Sequence, residues 1–273
     1  MAIMRALLID LDGVIYQDEA LVPGAPDALA WVRAHAIPHA FVTNTTSRPR
    51  RALVEKLARF GVPAREEQII TPAVVAAEWL RREARIPAAL FVPTATRADF
   101  MGVPALAEDA ESGAGSVVIG DLGTAWTFAT LNRAFRLLMA SPDSVLIGLG
   151  ATRYWRAADG LRLDVGPFVE ALECATGRRA IVLGKPARPF FENAVELLKC
   201  TAAETIMVGD DIAADVRGAQ CAGMHGVLVR TGKFRESDLA GDIRPDGVLE
   251  SFADLPEWWR AHVVDEVISG ESS

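Results

Sequence analysis

Ala6-Leu7-Leu8-Ile9-Asp10-Leu11-Asp12-Gly13-Val14 is the stretch on which the reading of this chain turns. Its apolar start reads as a buried strand. Two carboxylates follow one residue apart, and Gly13 lets the chain bend just beyond them, so Asp10 and Asp12 fall at the carboxyl end of the strand. Open parallel sheets bind their ligands at that end. Two acids in one place repel each other unless a cation or a shared proton holds them. A hard divalent cation such as Mg²⁺ suits them, because it takes a few carboxylates and keeps several waters. The plainer reading is a solvated turn, where Asp and Gly are common.

Outward from this stretch, strand-like and helix-like segments alternate. Ala6–Ile9, His39–Thr43, Ala89–Val92, Ser116–Gly120, Val145–Leu149, Ala180–Leu183, Thr205–Val208 and Gly226–Val229 read as strands. Helical patterns cover Ala25–His35, Arg50–Phe60, Pro72–Arg82, Ala125–Met139, Gly166–Ala175, Pro189–Leu198 and Asp211–Ala219, and Trp258-Trp259 read as anchors of a last helix. Such alternation predicts an α/β fold: a doubly wound, Rossmann-like parallel sheet with helices on both faces. Between the segments that carry chemistry lie roughly a hundred residues with strands of their own, too many for a connector and about right for an inserted domain. The expected division is a core of residues 1–81 and 178–273 with an α/β cap at 82–177.

Composition excludes several classes. The chain has 273 residues, is 51% hydrophobic and carries a formal net charge of -8. It has ample material for a core but no basic field for nucleic acid and no attraction to an anionic membrane surface. No apolar stretch approaches the ~20 residues needed to span a bilayer, and charges at Arg5 and Asp10 interrupt any signal-peptide core. Cys174, Cys200 and Cys221 are odd in number and lack CxxC spacing, so they read as reduced thiols of a cytoplasmic protein. His35, His39, His225 and His262 are scattered and read as structural or surface residues.

Three further segments join the acidic pair. Phe41-Val42-Thr43-Asn44-Thr45-Thr46-Ser47 runs from a strand into a turn, where Thr43 and the backbone around Asn44 can donate to phosphate oxygens; Thr46 and Ser47 read as helix caps. Gly184-Lys185-Pro186 ends another strand with a cation able to neutralise a phosphate. In Val208-Gly209-Asp210-Asp211, followed by Asp215, three carboxylates crowd a strand-to-helix turn and need a counter-ion. Asp210 reads as a metal ligand, and Asp211 and Asp215 as residues behind it, with helix capping the plainer role for Asp211.

In this order the four segments resemble the haloacid dehalogenase superfamily of hydrolases. VTNTTS, LNRAFRLLM, VGPFVEALECATGR, VLGKP and MVGDDIAADVRGAQCAGMHGVLVRTGKFR resemble its subclass IIA, whose large α/β cap lies between the second and third motifs. The likeness spans nearly the whole chain and is weakest around Arg82–Gly115. It implies a Mg²⁺-dependent phosphatase acting on a small phosphorylated metabolite through an aspartyl-phosphate. Asp10 would be the nucleophile, and Asp12 the acid and then the base. The metal would be held by Asp10, the main-chain carbonyl of Asp12, and Asp210. Thr43, the Asn44 amide and Lys185 would bind the transferring group's oxygens. Members that cleave carbon–halogen bonds lack the second acid, which this chain keeps. Tyr154-Trp155-Arg156 and Asp159-Gly160-Leu161 lie in a loop like the specificity loop of capped relatives, where Trp155 and Arg156 are candidates for substrate selection. Capped relatives often dimerise through the cap, and a homodimer is expected here.

The core is equally compatible with hydrolysis of pyrophosphate or P–N bonds. From another class, a phosphoacceptor signalling module also combines strand-end acids, a Thr and a Lys, but is far shorter and has no such insertion. A catalytically silent binding protein would not need all of these groups.

Overall fold

The computed structural model describes residues 4–157 and 159–263, except for the side chains of Arg156 and Ala157. The chain forms two compact units. One contains the residues up to Thr43, Lys56–Ile69 and the chain from Phe191 on; the other contains Asn44–Glu55 and Ile70–Phe190.

The first unit is built on a sheet ordered Gly247–Leu249, His225–Val229, Thr205–Gly209, Ala6–Asp10, His39–Val42, Ile69–Ile70. Every residue of Ala6–Asp10 and of Thr205–Gly209 is buried. This is why these strands are unbroken apolar runs and not alternating ones. Leu7, Leu8 and Ile9 are wholly buried, each worth about 1.5–3 kcal/mol. Ala6–Asp10 pairs in parallel with Thr205–Gly209 on one side, Ile9 opposite Val208, and with His39–Val42 on the other, Asp10 opposite Val42. The chain builds the sheet one way from the first strand, then returns to build it the other way. The point where the order reverses lies between Ala6–Asp10 and Thr205–Gly209, where such sheets place ligands. The α/β, Rossmann-like expectation therefore holds.

The second unit holds its own parallel sheet, ordered Ile181–Val182, Val145–Gly148, Ser116–Ile119, Ala88–Phe91. Phe91, Val117, Ile119, Leu137, Leu138, Leu146, Val169 and Leu172 form its core. Trp126 lies between Phe91 and Phe168, with ring centroids 6.0 and 4.6 Å away, and its Nε1 donates to Gly120 O at 3.2 Å. This unit is wider than the segment 82–177, because Ile181 and Val182 continue its ladder.

Local chemistry sets the element ends. Pro72–Arg82 is a helix as expected, with Pro72 in its first turn and Thr71 Oγ1 accepting from Val74 N, a cap worth ~1 kcal/mol. The helix expected from Ala125 begins instead at Phe128, because Thr127 caps it by accepting from Thr130 N. The helix expected over Asp211–Ala219 is a π-helical turn, Ile212–Arg217, running into a short α-helix, Gly218–Cys221. Two antiparallel hairpins were not expected: Tyr16–Gln17 with Ala20–Leu21, and Tyr154–Ala157 with Gly160–Leu163. Trp258 and Trp259 are buried on the helix Leu255–His262. Among the described residues, no helix is long and apolar enough to cross a membrane.

Candidate active site

In the first unit, Asp10 is the last residue of its strand, and Asp210 follows directly on Thr205–Gly209. The adjacent parallel strands thus bring two sequence-distant acids to one end of the sheet. Asp215 joins them from the π-helical turn, in which the Val216 amide reaches back five residues to Asp211 O. Carboxylate oxygens of Asp10, Asp210 and Asp215 lie within 4.8 Å of one another, and all three residues are buried.

Glycines make room for these carboxylates. A Cβ on Gly13 or on Gly232 would stand 2.0 Å from Asp210 Oδ2, and both glycines have positive φ, +86° and +65°. A Cβ on Gly209 would stand 2.2 Å from Asp215 Oδ2. The glycine after the acidic pair therefore bends the chain and also leaves space for the acid of another strand. Thr231 Oγ1 donates to Gly13 O, which joins the two glycine turns.

Asp210 is 2% exposed. Its Oδ2 accepts from Lys233 N at 2.7 Å, whereas its Oδ1 is buried with no hydrogen-bond donor. Burial first, then the charges of Asp10 and Asp215, push its carboxyl up to about 8, against the opposing pull of the Lys233 amide and ammonium. An orphaned carboxylate oxygen facing two further buried acids is an arrangement that a cation completes. The donors are all hard oxygens, which fits a small divalent ion better than a soft metal.

The side chain of Asp12 is exposed beyond the strand end. It is therefore not part of the buried triad and is open to solvent. Thr43 is buried just past the His39–Val42 strand. Asp211 takes the capping role: its Oδ1 accepts from Ala213 N at 3.0 Å and Ala214 N at 2.9 Å, and its Oδ2 lies 3.5 Å from Lys233 Nζ. Asp215 Oδ2 accepts from Asp211 N at 3.1 Å, which braces the turn.

In the second unit, Asn44 and Lys185 meet across 141 residues of sequence. Lys185 N donates to Asn44 Oδ1 at 2.8 Å, and Asn44 Nδ2 donates to Lys185 O at 2.9 Å. A side-chain amide thus clamps the backbone of a buried lysine in both directions. Sequence reasoning reached Asn44 through its backbone amide and missed this role of its side chain.

Tyr154, Trp155, Arg156 and Leu161 lie on the second hairpin, a regular pair of strands where a loop was expected. Its apolar side chains are out in solvent, Trp155 at 39% and Leu161 at 62%. Arg162, ion-paired to Asp159 at 2.6 Å, lies over the Trp155 ring at 5.9 Å. The Arg156 side chain falls outside the described residues.

A family model described as haloacid dehalogenase-like hydrolase matches residues 7–103, and a second, HAD-hydrolase-like model matches residues 182–255. Over 267 residues the chain is 40% identical to haloacid dehalogenase-like hydrolase domain-containing protein 2 of Bos taurus, covering 97% of this chain and 96% of that one. It is 36% identical over 264 residues to human phospholysine phosphohistidine inorganic pyrophosphate phosphatase, covering 95% of each. Among solved structures, the p-nitrophenyl phosphatase of Archaeoglobus fulgidus superposes with a TM-score of 0.85 at 25% identity, over 94% of this chain and all of that one. NagD of E. coli K-12, at 22% identity and a TM-score of 0.83 over 93% of this chain and 98% of that one, shares the fold.

Proposed function

The chain belongs to the haloacid dehalogenase-like hydrolases, and from that premise we propose that it is a Mg²⁺-dependent phosphatase of small phosphorylated metabolites that works through an aspartyl-phosphate. It is a hydrolase of the phosphoric monoester class, as its p-nitrophenyl phosphatase neighbour and its phosphatase relative support. The observation that carries the proposal is the buried triad Asp10, Asp210, Asp215, with Asp210 Oδ1 lacking any donor.

Asp10 attacks phosphorus and takes the phosphoryl group. Asp12, outside the triad and in contact with solvent, gives its proton to the leaving oxygen and then takes one from the water that hydrolyses the acyl phosphate. Thr43, the Asn44 amide and Lys185 are assigned to the phosphoryl oxygens, over which the transition state spreads its charge. Asp10, Asp210 and the main-chain carbonyl of Asp12 would hold the ion, with Asp215 as a further carboxylate beside them. Mg²⁺ bound there supplies charge shielding between the anionic nucleophile and the anionic phosphate. Asp211 holds the turn that carries Asp215. Segment 82–177 serves as the cap, with Trp155 and Arg156 in substrate selection. The assembly is a homodimer through that cap, in the cytoplasm.

The test is turnover of p-nitrophenyl phosphate with Mg²⁺, its loss in EDTA, and its loss in Asp10→Asn with the fold retained by circular dichroism. Sustained turnover by Asp10→Asn refutes the nucleophile. A long-lived phosphorylated chain without turnover points instead to a signalling module. The name of the human relative favours a second reading, cleavage of P–N and pyrophosphate bonds. Specificity constants on phosphoramidate and pyrophosphate above those on all monoesters would select it.

A further inference from the structure

Lys56, on the helix Arg50–Arg59, is 5% exposed. Lysines are almost never buried without a partner, and here every partner but one comes from a single hairpin. Its Nζ donates to Asp18 O at 2.5 Å, lies 3.3 Å from Glu19 Oε1, and sits 3.9 Å from the centroid of the Tyr16 ring. Phe60, 5.6 Å from Tyr16 between ring centroids, closes the aromatic side at 5.9 Å from the ammonium. Asp18 and Glu19 are the two-residue turn between Tyr16–Gln17 and Ala20–Leu21. The ammonium therefore pins both the tip and the base of that hairpin.

The hairpin in turn frames the loop that carries Asp12. Gly13 N donates to Tyr16 O at 2.6 Å, Tyr16 N donates to Leu11 O at 3.2 Å, and Asp12 and Tyr16 are bridged through their backbones. Asp12 itself is exposed, so no burial of its own side chain holds it in place. We infer that Lys56 is a positioning residue for Asp12: by fixing Tyr16 and the Asp18 carbonyl, it sets the loop from which the acid delivers its proton. This rests on the acid–base role proposed above for Asp12. A cation suits the task better than an apolar side chain, because it engages a carbonyl and a ring face together.

Two substrates separate positioning from mere stabilisation. A nitrophenolate leaves without needing a proton, whereas the alkoxide of glycerol phosphate does not. Lys56→Met keeps the stem and removes the charge. It is expected to lower kcat/KM on glycerol phosphate about tenfold more than on p-nitrophenyl phosphate, a fraction of what a general acid supplies. Amide exchange at Gly13 and Tyr16 is expected to quicken. Tyr16→Leu, which removes the ring face, carries the same test where Lys56→Met does not fold. Equal losses on both substrates, or no loss, overturn the inference. If the wild-type protein turns over neither substrate, the phosphatase reading has failed by itself. The amide exchange then decides the claim on Lys56: unchanged protection at Gly13 and Tyr16 in both variants overturns it.

Discussion

The carboxyl of Asp210 is held in a state it would not choose in water. An unfolded chain releases this proton at the ordinary aspartate value, near pH 4, but the folded, metal-free protein keeps it to about 8. Between those values the folded state binds more protons than the unfolded one, so stability falls as pH rises through that window. In EDTA, the melting temperature is expected to fall between about pH 5 and about pH 8, and Asp210→Asn is expected to flatten that slope. Thermal melts across the range read both, and a metal-free protein that grows more stable toward pH 8 contradicts the assignment. The glycines are part of the same residue-scale design. Gly13 and Gly232 stand where any Cβ would strike Asp210. The sequence shows Gly13 as a turn residue; nothing in it links Gly232 to an acid of another strand.

At the scale of elements, short strands and turns do the placing. The Asn44 amide and the Lys185 backbone satisfy each other across two chain segments. Asn44→Ala leaves a buried N–H and C=O without these partners, at a cost of about 1–3 kcal/mol. Urea unfolding is expected to show that loss, and KM for phosphate monoesters is expected to rise as Lys185 loosens. An unchanged unfolding midpoint would show that the clamp contributes nothing. The Tyr16–Leu21 hairpin escaped the sequence reading for a physical reason. Its turn, Asp18-Glu19, has no glycine, and Asp18 takes a φ of +52° all the same, whereas tight hairpin turns are recognised by Asn-Gly or Asp-Gly. The Tyr154–Leu163 hairpin reads as a loop on the strength of the resemblance, although Leu161-Arg162-Leu163-Asp164 alternates apolar with polar as a strand does; its apolar residues nonetheless face solvent, Leu161 at 62% and Leu163 at 60%. The π-helical turn was read as an ordinary helix because periodicity cannot register one extra residue.

For the whole molecule, the balance lies between buried acids that repel and the proposed ion that would relieve them. Mg²⁺ that binds the folded chain alone raises its stability by mass action, about 2.7 kcal/mol at a hundred times the dissociation constant. Melting temperature is expected to climb with Mg²⁺ concentration in the wild-type protein and to stay level in Asp210→Asn. A wild-type melt indifferent to Mg²⁺ sinks the proposed metal site without reference to turnover.

The sequence alone determined the α/β class and eight of the ten strands that the two parallel sheets hold among the described residues, Ile69–Ile70 and Gly247–Leu249 being too short to stand out, and it placed Asp10 and Asp210 at strand ends. Buried parallel strands must be apolar runs, and strand-end acids, Thr and Lys have few bland uses together. Tertiary structure decided the rest. Asp215 belongs with Asp10 and Asp210 only because a π-helical turn carries it there, and Asp211 caps that turn because its side chain meets two amides. Lys56 looks like any helical lysine until the fold buries its ammonium under a hairpin. Periodicity reports which residues are turned inward. Only the packed chain decides which of them meet, because those contacts join residues far apart along it.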